Sequence, residues 1–162
     1  MPQIGNHLKW CLKDPRRLKK VLPDLELAQS HLKKSEHNRE VMQDLEKLKH
    51  YDWALNAGYY AIYHCFLAIL AKFGYETRNQ SCSLTALLSL IEEGKLSLDR
   101  DLVLQFDTLE VDPQATDATA REKREVATYG VGTSIDTRAL DRVRELMKDV
   151  QRATIGILAE RS

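Results

Sequence analysis

The stretch at residues 53–74, WALNAGYYAIYHCFLAILAKFG, constrains this chain more than any other. It is the longest apolar run. Leu55, Ile62, Phe66, Ile69 and Phe73 recur at helical intervals, and Asn56, Tyr60, Tyr63 and Leu67 recur beside them. Apolar residues on both sides of the helical wheel predict a central buried helix rather than a surface one. Ala54, Ala57, Gly58, Ala61, Ala68 and Ala71 are small and let neighbouring helices approach closely. Asn56, Tyr60 and His64 stand at i, i+4 and i+8 and make a polar seam on this rod. Either the seam is tied off by hydrogen bonds in the core, or it lines a site or a subunit interface.

The run is long enough to cross a bilayer. Asn56, His64, Lys72 and three tyrosines interrupt it, so the expectation is a core helix and no membrane. A chain of 162 residues fits one domain with a sizeable core. The flanks read as helices too. Pro23 and Asp24 are good helix-start residues, and Leu25, Ala28, Leu32, Met42, Leu45 and Leu48 follow at helical spacing. They predict one long helix over about 24–49 with a solvated middle turn, KKSEHNRE, or two shorter ones. Gly74 is placed to end the central helix. Ser83 is placed to cap the next, through Leu84, Leu87, Leu88 and Ile91 to Gly94. Ser97 or Asp99 caps another, bearing Leu102, Leu104, Phe106 and Leu109. A turn-rich linker, VDPQATDAT, precedes a helix near Ala118. In the last helix, capped by Ser134 or Asp136, Leu140, Val143, Met147, Val150, Thr154 and Ile157 mark one face.

No run of alternating β-branched residues appears, so no sheet is expected. The reading is an all-α, up-and-down antiparallel bundle of about five to six helices. It forms a single domain over 1–162, with 1–22 as an N-terminal extension. There, His7, Leu8, Trp10, Cys11 and Leu12 suit a short helix before Pro15.

Twenty-four Lys and Arg balance twenty-four Asp and Glu. That argues against a strongly basic nucleic-acid binder but leaves room for a local patch. Lys9, Lys13, Arg16, Arg17, Lys19 and Lys20 crowd the start, and acids dominate 92–117. Cys11, Cys65 and Cys82 are odd in number and far apart, and no spacing suggests zinc. A reduced, cytoplasmic protein without a metal or cofactor is the expectation, and the first residues lack the apolar core of a secretory signal.

Most enzyme signatures are missing: GxGxxG, the Walker loop, GxSxG and HExxH do not occur. All five histidines lie in the N-terminal part, and His64 alone sits inside an apolar helix. The best candidate site is Arg121, Arg124, Glu125, Thr128 and Tyr129, followed by GVG. Arg121, Arg124 or Glu125, and Thr128 share a helix face. Tyr129 is five residues beyond Arg124, about 140° around an ideal helix, and joins them only if the helix ends there. Two guanidiniums suit a phosphate, and a tyrosine can stack on a base. The plain alternative is a solvated surface on which Glu122 and Glu125 neutralise both arginines.

Tyr59-Tyr60-Ala61-Ile62-Tyr63-His64, then Gly74, then Asn79-Gln80-Ser81-Cys82-Ser83, and later Arg124-Glu125-Val126-Ala127-Thr128-Tyr129 occur in an order that resembles the HEPN superfamily. The opening LKWCLKDPRR resembles a prokaryotic branch of it. The resemblance implies a helical bundle, paired as a homodimer through the motif-bearing helices. It also implies a minimal nucleotidyltransferase as partner in a toxin–antitoxin system. Active members of the superfamily are metal-independent endoribonucleases with a histidine four to six positions after the arginine. There the arginine stabilises developing charge and the histidine moves the proton. This chain has Tyr129 after Arg124 and no histidine beyond His64. Tyrosine, with a reference pKa near ~10, is a poor general base. Gln80 stands where relatives often carry a histidine. The resemblance therefore implies a non-catalytic or weakly catalytic module that binds a nucleotide, RNA or the partner through Arg121, Arg124, Tyr129, Tyr60, Tyr63, His64 and Gln80. Two alternatives stay open: a degenerate ribonuclease using Arg124 with Tyr129 or His64, and a helical scaffold.

Overall fold

Asp24 starts the first long helix as the sequence suggests. In the computed structural model, which describes residues 4–109 and 137–160, its carboxylate accepts a hydrogen bond from Leu27 N at 2.9 Å. This satisfies one of the donors left open at a helix start. The helix, Leu25–Lys47, is continuous, and KKSEHNRE lies within it. Ala28, Leu32, Ser35 and Met42 are its buried residues. The central helix follows after three residues as Tyr51–Lys72, and Lys49 makes the reversal with φ +63°. So short a connection lays the two helices antiparallel.

In chain order the elements are α1 (Ile4–Leu12), β1 (Leu18–Lys20), α2 (Leu25–Lys47), α3 (Tyr51–Lys72), β2 (Tyr75–Thr77), α4 (Gln80–Glu92), α5 (Arg100–Asp107) and α6 (Thr137–Ala159). Helix α3 packs against α2, α6 and α4, while α1 lies on α4. The bundle is the expected all-α one. Helix α3 passes the length and composition test for a membrane span, yet 67% of that window is buried inside the fold. It is the middle of the core. Tyr59, Phe66 and Phe106 are fully buried, with ring centroids 4.8 Å (Tyr59–Phe106) and 5.2 Å (Phe66–Phe106) apart. All six residues that mark one face of α6 in the sequence are buried. Each large apolar side chain among them stabilises the fold by about 1.5–3 kcal/mol.

The small residues of α3 act as foreseen at Gly58. A Cβ there would lie 2.6 Å from Val143 Cγ1 and 2.7 Å from Met42 Sδ, so α2, α3 and α6 meet at this point. A polar knot joins the same three helices. Ser35 Oγ donates to Ala61 O at 2.6 Å and accepts from Gln151 Nε2 at 2.9 Å. Gln151 Oε1 accepts in turn from Arg39 at 3.0 Å. Lys72 Nζ donates to the carbonyls of Ile157 and Glu160, closing the C-terminal turn of α6.

Three expectations are corrected. First, a short antiparallel pair exists, with Leu18 opposite Thr77 and Lys20 opposite Tyr75. Three-residue strands show no alternation that a sequence pattern could reveal. The pairing is set by Gly74, whose φ is +84° and whose missing Cβ leaves room for Val21 O. Val21 N donates to Gly74 O at 2.8 Å. Second, α4 begins at Gln80, capped by Asn79, whose side chain accepts from Cys82 N at 3.0 Å. Ser83 is instead buried inside the helix, with its hydroxyl turned back to Asn79 O. Third, Cys11 and Cys82 are joined by a disulfide across 71 residues. Their distance along the chain hid this, because the β1–β2 pair brings α1 onto the start of α4. Only Cys65 is a free thiol, and it is buried.

Candidate functional site

Among the described residues, no neighbour closes over one face of α3. Asn56, Tyr60, Tyr63, His64 and Leu67 are all half-buried, and Trp53 at the top of the same face is exposed. At about 100° per residue these six positions fall within one sector of the helix. Their neighbours Leu55, Tyr59, Ile62, Phe66 and Ile69 point into the core. The polar seam is therefore a stripe at the boundary of the fold. Asn56 Oδ1 is buried within it and has no hydrogen-bond partner among the described residues.

Two side chains of the stripe turn to opposite sides. Tyr63 faces α4 and α5: its hydroxyl is 2.9 Å from Ser83 Oγ, and its ring lies parallel to Phe106 at 6.4 Å. Ser83 Oγ continues to Thr77 Oγ1 at 2.9 Å, so the chain of hydroxyls ends on β2. Burial raises the Tyr63 pKa above the usual phenolic range. Gln80 is used on the same side, where its Oε1 accepts a hydrogen bond from the Tyr59 hydroxyl. Tyr60 stands edge-on to Tyr59 at 5.4 Å.

His64 faces α2. Its Nδ1 lies 3.1 Å from Nδ1 of His31. One nitrogen must donate and the other accept, so the pair is held together when at least one ring is neutral. Burial depresses the His31 pKa. Burial, with the charges of His31 and Lys34, brings His64 down to about 4. Both rings are therefore neutral near pH 7. An imidazole with so low a pKa is no proton donor at neutral pH and a weak base.

Below the histidines the stripe runs into an open cleft of about 610 Å³. Leu67 and Ala71 form part of its floor, Leu27 and His31 part of one wall, and Thr77 and Arg78 part of the other. The Arg78 side chain is exposed and has no ion-pair partner among the described residues. Its position is fixed through the backbone, where Arg78 N donates to Arg17 O at 3.3 Å. Asp24 and Glu76 also line the cleft beside Arg78, so its apolar walls and mixed polar rim suit a small aromatic ligand with hydrogen-bonding groups.

The structure thus brings His64 to His31, and Tyr63 and Gln80 to the start of α4. It does not gather Tyr60, Tyr63, His64 and Gln80 around one point. Arg121, Arg124 and Tyr129 lie outside the described residues, as do the helix expected near Ala118 and the expected caps Ser134 and Asp136. His31 and Arg78 were missed in the sequence. His31 sits in a polar stretch of α2, and nothing in its own surroundings marks it. Arg78 is in the YETRNQSCS loop, where only the β1–β2 pairing places it beside the cleft.

A family model described as HEPN domain matches residues 28–153. No curated protein matches the chain.

Proposed function

The chain belongs to the HEPN domain family, and from that premise we propose that it is a non-catalytic binding module for a nucleotide or single-stranded RNA. The half-buried stripe of α3, opening into the cleft rimmed by His31, Thr77 and Arg78, carries this reading. Tyr60 and Trp53 offer faces on which bases stack, and each stacked base is worth roughly 1–3 kcal/mol. Arg78, which shares the cleft with Asp24 and Glu76, supplies a guanidinium for a phosphate. The neutral, hydrogen-bonded pair of His31 and His64 supports recognition over cleavage, because it offers no proton donor for a leaving group at pH 7.

In this reading the protein acts as a homodimer, with the motif helices of two copies side by side. Arg121, Arg124 and Tyr129 complete the ligand site. The biological setting is a toxin–antitoxin pair in which a minimal nucleotidyltransferase is the partner, acting in the cytoplasm.

Fluorescence anisotropy with labelled single-stranded RNA, and with competing nucleotides, tests the site. Arg124→Ala and Arg78→Ala each lower affinity by about 5–100-fold while leaving the melting temperature nearly unchanged, and Tyr60→Ala lowers affinity by a similar factor together with some stability, because its ring packs against the core. If all three variants bind RNA and nucleotides as the wild type does, the assignment of this face is wrong.

A further inference from the structure

The helix α1 lies ahead of the matched family stretch, which starts at residue 28, and it brings two chemically competent side chains to α4. His7 and Cys11 stand one turn apart on α1, so they project from the same face. Cys82 is the third residue of α4, and its backbone N–H donates to the side chain of the Asn79 cap. The ligand atoms of His7, Cys11 and Cys82 all lie within 4.8 Å of one another. Cys11 and Cys82 are fully buried, while His7 is half-buried and reaches the surface. His7 is held in place on two sides. Its Nε2 is 2.9 Å from Ser81 Oγ, and its ring stacks on Trp10 at 5.4 Å. Trp10 is itself covered by the Arg17 guanidinium, 3.7 Å above the indole.

We propose that His7, Cys11 and Cys82 form a redox-gated binding site for Zn²⁺, open when the two cysteines are reduced and closed when they are joined. The inference stands independently of the ligand site on α3. Two thiolates and one imidazole are a donor set that favours zinc over harder cations. In a tetrahedral site two sulfurs bound at about 2.3 Å stand roughly 3.8 Å apart. Side-chain rotation of Cys11 and Cys82 reaches that separation from Cα atoms 5.7 Å apart. With three protein ligands, a water would complete the tetrahedron, and half-buried His7 is the ligand nearest to solvent. The start of α4 favours the Cys82 thiolate, as helix N-termini do generally.

The gate follows from the electron count. A dithiol reductant gives two electrons and two protons to the Cys11–Cys82 bond, which breaks to two thiols while the reductant becomes a disulfide. Zn²⁺ then displaces both thiol protons to solvent, and the two thiolates neutralise its charge. In the reverse direction a low-molecular-weight disulfide takes two electrons from the zinc-bound thiolates and, with two protons, leaves as two thiols while the Cys11–Cys82 bond re-forms; neither sulfur then carries a negative charge, and Zn²⁺ is released. Either state pins α1 to α4, so the extension stays docked while its chemistry changes. Cys65 does not compete: it is buried among Ser35 and Thr154, and burial pushes its thiol up to about 11.

The test uses the full chain, reduced by a phosphine and kept anaerobic, titrated with Co²⁺ and then Zn²⁺. The reduced protein takes up one Co²⁺ per chain with a thiolate-to-cobalt charge-transfer band, and Zn²⁺ removes the band. The oxidised protein gives none. Cys65→Ser behaves as the wild type. His7→Ala still forms the disulfide, by free-thiol titration, but loses affinity for Zn²⁺. Outer-sphere changes alone cost roughly 10–100-fold, so loss of a ligand costs at least about 100-fold. The proposal is overturned if the reduced wild type binds no more metal than Cys11→Ser/Cys82→Ser. It is also overturned if His7→Ala, with its disulfide intact, binds Zn²⁺ like the wild type.

Discussion

Adding a single methyl group at Gly58 probes the point where three helices converge. The new Cβ would sit 2.6 Å from Val143 Cγ1 and 2.7 Å from Met42 Sδ. Ordinary carbon contacts are about 3.5–4.0 Å, so roughly 1 Å of movement is required on each side. Met42 can turn aside, because its thioether is flexible. Val143 cannot: it is fully buried, and a β-branched residue in a helix has one strongly preferred rotamer. Helices α3 and α6 must therefore separate, or Val143 must leave its rotamer. Such overpacking costs about 1–3 kcal/mol. Against it stands the gain of about 1 kcal/mol from replacing glycine by alanine inside a helix. The expected result for Gly58→Ala is a net loss of about 1 kcal/mol, a fall in Tm of about 2–4 °C. Gly156 is the control. It lies in α6 with nothing within 4 Å of the corresponding Cβ position, so Gly156→Ala raises stability by up to about 1 kcal/mol. Urea denaturation of Gly58→Ala, Val143→Ala and the double variant gives the coupling directly. The double variant relieves the clash and loses less than the sum of the two by about 1 kcal/mol. If the two effects simply add, within about 0.3–0.5 kcal/mol, or if Gly58→Ala is as stabilising as Gly156→Ala, the close approach is not as described.

Ser35→Ala removes the donor to Ala61 O and leaves Gln151 Nε2 without its acceptor in the core. A stability loss of about 1–3 kcal/mol is expected in chemical denaturation, and a loss below about 0.5 kcal/mol would deny the knot a structural role. The histidine pair makes stability depend on pH in a defined direction. His64 titrates near 4 in the fold and near ~6.5 when unfolded, so the unfolded chain takes up the proton first. Its contribution is complete above about pH 6.5 and is lost as pH falls towards about 4; His31 acts in the same direction. Urea midpoints measured at intervals from neutral to acid show a steeper decline for the wild type than for His64→Gln. Parallel curves would mean that the ring is not held neutral.

The helices were legible because each carries its own signals. Asp24 with Pro23 marks the start of α2, Gly74 the end of α3, and Leu140 through Ile157 the buried face of α6. The cap of α4 was misplaced by a few residues because Asn79 and Ser83 are both good cap residues. The choice between them depends on where β2 releases the chain. The disulfide and the strand pair were illegible for a common reason. Each joins segments some 60–70 residues apart, and no local pattern encodes who meets whom. The polar seam on α3 was readable as a seam. Its place at the edge of the fold was not, because apolar residues stand on both sides of the seam and, among the described elements, the packing of α2, α4 and α6 decides which side they leave uncovered. His31 entered the site in the same way, through packing alone.

The α2–α3 hairpin bears on the order in which the molecule assembles. Its two helices are joined by three residues, so their contacts close a very short loop and form early, on the microsecond scale of helix growth and loop closure. Helix α6 completes the same core from more than 60 residues away along the chain, and the entropy of that closure is met only once a surface exists to receive it. The transition state for folding then contains α2 and α3 with α6 still undocked. Truncating Val150 or Ile157 on α6 accelerates unfolding with little effect on refolding, whereas truncating Leu55 or Ile62 slows refolding as well. Stopped-flow chevrons of these variants separate the two classes, and equal refolding rates for all four would point to a core that condenses in one step. The lifetime of the native state is accordingly governed by how firmly the last helix grips the hairpin.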